Sequence, residues 1–261
     1  MINRAARFIF NKVNSKKENL KASYTESLHE RMYISLKDCT SINGFVFKDG
    51  WHFLVATLEQ YEKNPNIKYE ETFLARYYDC YQPKNLQESL YGKGSNIDIP
   101  SLIRHRDPQN APMPWTPMFK LPNKYKTNLA DYGPKDKSSD DGEVRFRRLT
   151  KIYDSIKSDG FREELNKNVI NQIKGVLLKN NNDFRFLVFN GNHRTAALSA
   201  LGFEKIPFRF VSNYPVIVDI ENIDNWPCVK TGFYDRNVAE KIFLHYFEEN
   251  GVNKAKEWGI F

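Results

Sequence analysis

The stretch FRFLVFNGNHRTAALSALGFEKIPFRF, residues 184–210, carries the clearest succession of elements in the chain. Alternating apolar residues in FRFLVF predict a strand, and the small residues after Thr195 predict a helix that ends at Gly202. The segment IPFRFV predicts a second strand. Between the first strand and the helix stands NGNHR, so a glycine, two amides, an imidazole and a guanidinium meet where the helix begins.

A strand that turns directly into a helix presents backbone N–H groups and the positive end of the helix dipole at one spot. Phosphate is the usual occupant of such a site. Gly191 allows a sharp turn and a close ligand approach, and Arg194 offers a forked grip on phosphate oxygens. Asn192 and His193 add side-chain donors, and Thr195 is expected to cap the helix or to contact a phosphate or metal.

A simpler interpretation of NGNHR is a plain turn at Asn190 and Gly191 followed by a helix cap at Asn192. The string alone does not separate the two interpretations. Upstream, the segment 144–158 predicts an amphipathic helix that ends at Gly160. Residues 164–179 predict a helical or mixed element, and residues 180–183 a tight turn.

The string NGNHRTAALSALG followed by IPFRF resembles the signature of the ParB/sulfiredoxin-like superfamily, and RRLTKIYDSIKSDGF is similar to the helix that precedes it. The resemblance covers residues 143–211. It implies an α+β fold with a mixed sheet and packed helices and a nucleotide-binding core at 143–211. After the core, outside the resemblance, we expect a helical C-terminal extension at 212–261 that packs on it. Ahead of the core we expect a basic segment at 1–24 and an α+β extension at 25–142 that includes a proline-rich wrapping region.

Three activities of the superfamily can be compared with these residues. Sulfiredoxins carry a cysteine just before the His-Arg pair, and Asn192 stands there, so their thiol chemistry is not expected. Chromosome-partitioning ParB proteins have a DNA-reading domain after the nucleotide domain, but the last 50 residues predict one clear helix. The nearest resemblance is to the free-serine kinases that resemble ParB.

That resemblance implies phosphoryl transfer from ATP or ADP, with Mg²⁺, to a small hydroxyl compound. Glu143 and His193 are the implied catalytic residues, with Asp140 and Asp141 as substitutes for the carboxylate. A solvated, helix-starting run of charge is the other interpretation of these acids. The implied nucleotide contacts are Gly191, Asn192, His193, Arg194, Thr195, Arg145 and Arg148.

Composition indicates a folded protein in a reducing compartment. Of the 261 residues 41% are hydrophobic and 14% aromatic, whereas disordered chains are poor in such residues. The cysteines Cys39, Cys80 and Cys228 form no CxxC pair, and the histidines no HxH or HxxxH pair, so no metal site is predicted. No stretch approaches the roughly 18 apolar residues of a membrane span, and we expect a cytoplasmic protein.

The net charge of +7 is concentrated in residues 1–24, which carry +5 and leave +2 (7 − 5) for the remainder. This segment predicts a terminal helix that packs on the body or makes a weak membrane-surface contact. Nucleic-acid binding through the same segment is possible in principle but is not favoured, because the rest of the chain is not strongly basic.

Residues 93–142 are rich in proline and also contain large apolar residues, so we expect them to wrap the body and to help wall a cleft. Aromatic rings suit a sugar-like acceptor, and the candidates are Trp51, His52, Trp115 and Tyr125. The leading hypothesis is therefore a nucleotide-dependent phosphotransferase. The alternatives are a ParB-like nucleotide-binding module or nuclease that acts on nucleic acid, and a phosphate-binding protein without turnover.

Overall fold

The alternating apolar residues around 174–190 form the middle of a mixed β-sheet in the structure, a computed structural model. The described residues are 32–83, 86–91, 112–117, 139–161, 172–211 and 214–261. The basic segment 1–24 lies outside them, so its helix and its contacts stay predictions. None of the described helices combines the length and the apolar character needed to cross a membrane.

Six described strands build the sheet: β1 (Met32–Ser35), β2 (Cys39–Ser41), β3 (Lys174–Asn180), β4 (Asp183–Asn190), β5 (Lys205–Phe210) and β6 (Ile217–Asp219). The described α-helices are α1 (Phe53–Lys63), α2 (Phe73–Cys80), α3 (Leu86–Tyr91), α4 (Ser139–Asp159), α5 (Asn192–Ala200), α6 (Pro227–Lys230), α7 (Arg236–Glu248) and α8 (Val252–Glu257). Short 3-10 turns occupy Leu36–Asp38, Tyr69–Glu71 and Ile220–Asn225.

The strand order is β1-β5-β3-β4-β2, and β6 lies beside β3 as well. The β3–β4 and β1–β5 pairs are antiparallel, whereas β2–β4, β3–β5 and β3–β6 are parallel. The predicted α+β class with a mixed sheet and packed helices is confirmed.

The β3–β4 hairpin lies at the centre of the sheet, and its side chains enter the hydrophobic clusters on both faces. Its turn passes through Asn181, whose φ of +52° an asparagine tolerates better than most residues do. Successive strand residues point to opposite faces, so Leu177 and Phe186 enter one hydrophobic cluster while Leu178 and Leu187 enter another.

The first cluster lies between the sheet and a layer made of α1, α2, α4 and α5. The second lies on the other face, under α7 and the segment 112–117. Because α1 and α4 both pack on α5, the start of α5 is surrounded by residues from distant parts of the chain.

Most of the predicted elements are present with shifted ends. The one clear helix predicted in the last 50 residues is α7, and β4, α5 and β5 lie where the pattern predicts them. Gly160 and Gly202 follow α4 and α5 with φ of +73° and +81°.

Helix α4 is longer than predicted, because it begins at Ser139 and takes in the acidic run that precedes residue 144. Residues 174–179 are a strand rather than the helical or mixed element predicted for 164–179, of which 164–171 lie outside the described residues. The predicted extensions share the sheet with the core: β1 and β2 belong to 25–142, and β6 belongs to 212–261.

Candidate functional site

One residue, Gly191, separates β4 from α5. Its φ of +90° and ψ of +17° lie in the left-handed region, which glycine adopts without the usual steric cost. The N–H of Gly191 donates to Oδ1 of Asn190 at 2.9 Å, which closes the turn. Gly191 is also the cap of α5 and Asn192 is the first helical residue, so the expected cap at Asn192 is wrong. The interpretation of Asn190 and Gly191 as a plain turn stays open.

The turn is pressed against the chain that enters β3. A Cβ atom on Gly191 would lie 2.9 Å from Cα of Ile173 and 3.0 Å from its Cγ1. Ile173 is itself buried in the first cluster and cannot move aside easily. Glycine is therefore required at position 191 both for its conformation and for its size.

The start of α5 has the geometry of an anion site. The first intrahelical hydrogen bond runs from Thr195 N–H to the Gly191 carbonyl at 2.9 Å, so the amides of the preceding residues point toward the end of the helix. Thr195 Oγ1 also donates to that carbonyl, at 3.1 Å, and the side chain is fully buried. Thr195 therefore stabilises the turn, and its contact with a phosphate or metal stays a prediction.

Helix α4 brings two arginines to this helix end. Arg145 and Arg148 are three residues apart and lie on one side of α4, beside the residues that pack on α5. Burial and then the charge of Arg148 lower the pKa of Arg194. The guanidinium groups of two helices are thus close enough to repel each other at the positive end of α5.

His193 lies in the same group of cations. Its pKa is lowered to about 4, first by burial and then by the charges of three arginines, namely Arg148, Arg145 and Arg194. The imidazole is therefore neutral at pH 7, with one ring nitrogen that donates and one that accepts. The structure brings together four of the predicted site residues: Arg145, Arg148, His193 and Arg194.

Tyr78 on α2 positions one of these arginines, a role that no local sequence pattern indicates. Nη1 of Arg145 donates to the Tyr78 hydroxyl at 2.8 Å, and its guanidinium lies 5.5 Å from the centre of the Tyr78 ring. Burial opposes the charge of Arg145, but Tyr78 and then Asp141 outweigh it, so the pKa of Arg145 is raised. Arg145 therefore stays charged, and Tyr78 holds its guanidinium in one orientation.

His52, which precedes α1, is a buried neighbour of His193. Its ring stacks between Phe47 and Phe53, with centroid distances of 4.1 and 4.7 Å, and its Nδ1 accepts a hydrogen bond from the Leu54 N–H at 3.2 Å. Burial and then the charge of His193 lower the pKa of His52 to about 3. The proton consequently resides on Nε2, which is buried and has no hydrogen-bond partner among the described residues.

The predicted catalytic carboxylate, Glu143, does not face this group. It forms an ion pair with Arg147 at 3.1 Å, and a separation of two helical positions turns it about 200° away from Arg145. Asp141 is the carboxylate whose charge acts on Arg145. Among the predicted acids, Asp141 is therefore the better placed; the side chain of Asp140 lies outside the described residues.

Two of the aromatic residues predicted to receive a sugar-like acceptor, Trp115 and His52, are interior. Trp115 is fully buried against Trp226 and Phe243, and His52 is 2% exposed. Trp51 packs on Phe45 and Phe261. Trp115 and His52 therefore offer no open ring face, and Tyr125 lies outside the described residues.

The arrangement can bind an anion and can move a proton. Three guanidinium groups are close enough to the neutral imidazole at the start of α5 to lower its pKa, and the charge of Asp141 acts on Arg145. Within the described ranges no group of three or more His, Cys, Asp or Glu side chains is arranged to hold a metal ion. Comparisons of the chain with family models, with curated proteins and with solved structures found no match.

We expect Gly191→Ala to destabilise the protein more than Gly202→Ala does. Both substitutions place an alanine at positive φ, which costs about 1–2 kcal/mol. A Cβ at position 202 meets open space, whereas one at position 191 meets Ile173, which adds about 1–3 kcal/mol. Urea denaturation of the two variants measures the difference; equal losses would contradict the close packing of this turn.

The free energy of unfolding depends on pH through two histidines, His52 and His193. The pKa values of His52 and His193 in the folded state, about 3 and about 4, lie below the ordinary value of 6.5. Their stabilisation is therefore complete above pH 6.5 and is lost as the pH falls toward those values, because the unfolded chain binds protons first. By pH 5 each histidine should account for a loss of about 2 kcal/mol in the free energy of unfolding.

Denaturation of wild type and His52→Asn between pH 7.5 and 5 tests this dependence. Asparagine retains an acceptor for the Leu54 N–H but does not titrate. Between pH 7.5 and 5 the free energy of unfolding of the variant should therefore fall by about 2 kcal/mol less than that of the wild type. Parallel curves for the two proteins would show that His52 is not buried in its neutral form.

Proposed function

We propose that this chain is a nucleotide-dependent phosphotransferase that holds the phosphates of ATP or ADP at the Gly191 turn. The observation that carries the proposal is the convergence of Arg145, Arg148, Arg194 and His193 on the start of α5. Like charges held together in a partly buried place are costly, and a bound polyanion removes that cost. Phosphate suits the site because it accepts hydrogen bonds from amides and guanidinium groups together.

We also propose that β4, α5, β5 and the preceding α4 correspond to the nucleotide-binding core of the ParB/sulfiredoxin-like superfamily. The support is the succession of strand, turn, helix and strand, with a helix from the preceding segment packed on α5. In this proposal Arg194 and Arg148 grip phosphate oxygens from two sides, and Tyr78 holds Arg145 toward the same group. His193 donates one further hydrogen bond in its neutral form.

Phosphoryl transfer also needs a group that accepts the proton of the attacking hydroxyl. Asp141 is the first candidate, because its charge acts on Arg145, and Glu143 is the second. If Mg²⁺ is bound together with the nucleotide, it would supply positive charge that offsets the negative charge of the phosphates. The acceptor is proposed to be a small hydroxyl compound, and its identity is open to a screen.

Nucleotide should raise the melting temperature of the wild type, by roughly 3–6 °C at ten times the dissociation constant. Arg194→Ala should abolish the rise, and Arg148→Ala should weaken binding about 10-fold or more, since each removes a charge-assisted hydrogen bond. Arg147→Ala is the matched control, because Arg147 is the next residue along α4 and is paired with Glu143 away from the group.

Thermal shift assays with ATP, ADP and CTP, each with Mg²⁺, compare these four proteins. A wild-type melting temperature that no nucleotide changes would overturn the proposal. So would an equal loss of the nucleotide-dependent rise in the Arg147→Ala and Arg148→Ala variants. Turnover is then measured as ADP or AMP release with a set of hydroxyl acceptors. Asp141→Asn and Glu143→Gln identify the base, since only the variant of the true base loses activity.

A further inference from the structure

Two basic residues on neighbouring strands form a second cationic pair. Lys174, the first residue of β3, and Arg209 of β5 are direct partners in the parallel β3–β5 pairing. Residues in register on adjacent strands point to the same face of a sheet. The two side chains therefore extend side by side.

This pair lies on the face of the sheet opposite to α5. Phe210, the neighbour of Arg209, is buried in the first cluster, so Arg209 and Lys174 face the other way. Phe189 and Tyr214 pack on that second face, with their ring centres 5.3 Å apart. The pair is thus distinct from the arginines of the Gly191 turn.

Lys174 and Arg209 nevertheless lie at the same end of the central strands as the Gly191 turn, and this end is called the edge below. Lys174 is the antiparallel partner of Asn190, the last residue before Gly191. A compound that occupies the start of α5 and curves around this edge would bring a second charged group toward Lys174 and Arg209.

Neither side chain has an anionic partner in the described part of the chain. Both are half-buried, and neither takes part in a described salt bridge. Nε of Arg209 is buried without a hydrogen-bond partner. Burial and then the charge of Arg209 lower the pKa of Lys174, so the two cations are near enough to disfavour each other.

Two adjacent cations with no counter-ion among the described residues disfavour a cationic ligand and an apolar one. A compact oxyanion fits, because its oxygens can accept hydrogen bonds from an ammonium group and a guanidinium group together. Phosphate and carboxylate share this chemistry, and both are small enough to lie between two neighbouring strands.

We propose that Lys174 and Arg209 form a second oxyanion-binding site, separate from the Gly191 turn, that takes a phosphate or carboxylate group. The site does not depend on the proposed function. If the chain is a phosphotransferase, the pair holds an anionic group of the acceptor or a distal part of the nucleotide.

The test is the anion-dependent rise in melting temperature of four full-length proteins. They are the wild type, Arg194→Ala, the double variant Lys174→Met with Arg209→Met, and the control Lys205→Met with Lys256→Met. The control removes the same charge from two exposed lysines. Inorganic phosphate and malonate are the probes, and sodium chloride at matched ionic strength corrects for screening.

We expect phosphate or malonate to raise the melting temperature of Arg194→Ala, in which the first site is disabled, by roughly 3–6 °C at ten times the dissociation constant. The Lys174 and Arg209 double variant should lose this part of the rise, whereas the control should match the wild type. The larger of the two responses assigns the site to phosphate or to carboxylate. In sodium chloride alone the melting temperature of the double variant should be no lower than that of the wild type, because the repulsion between Lys174 and Arg209 has been removed.

A double variant that keeps the full wild-type rise would overturn the inference, and so would an Arg194→Ala protein that responds to neither probe. Lys174→Met alone is the second variant, with Arg209 retained, should the double variant fold poorly; it should lose most of the response. If Arg194→Ala matches the wild type while the double variant loses the response, the second site stands and the proposed function fails.

Discussion

The close contact between Gly191 and Ile173 is the constraint on which the candidate site depends. It holds the end of β4 against the chain that enters β3, and so determines where the first amides of α5 lie relative to the sheet. The packing of α4 on α5 then decides which side chains meet there. A turn that ran even one residue longer would direct Arg194 to another side of the helix, since each residue adds about 100°.

Hydrophobic packing supplies the energy that holds like charges together at this point. Leu149 and Tyr153 of α4 are buried in the first cluster with Ala196 and Ala197 of α5. Removing such side chains from water contributes about 25 cal/mol for each Å² of apolar surface, and this outweighs the repulsion among partly solvated guanidinium groups. Burial and neighbouring charge lower the pKa values of Arg194 and His193. In the proposed function, a bound anion would relieve this repulsion.

Local patterns predicted the elements of the site more reliably than its side-chain contacts. Strands β4 and β5 and helix α5 follow from alternation, small residues and glycine, all of which act within a few residues. Strands β1, β2 and β6 are three or four residues long, too short for a clear period of two. The contact of Tyr78 with Arg145 joins residues 67 apart in sequence, and no local pattern encodes such a contact.

Other differences between expectation and structure have local physical causes. The acidic run before Glu143 is typical of a solvated loop, but it extends α4, and this rotates Glu143 outward and leaves Asp141 near Arg145. Thr195 has a short side chain that bonds back to the turn of its own helix, as threonine often does. Large rings such as Trp115 suit a ligand and a protein interior equally well, and burial decided between them.

A crystal soaked with tungstate, a heavy analogue of phosphate, tests the central claim most directly. The account predicts an anomalous peak at the start of α5, with its oxygens about 3 Å from the amides of the first turn and from the guanidinium group of Arg194. A well-occupied peak elsewhere on the protein, with none at the Gly191 turn, would contradict it.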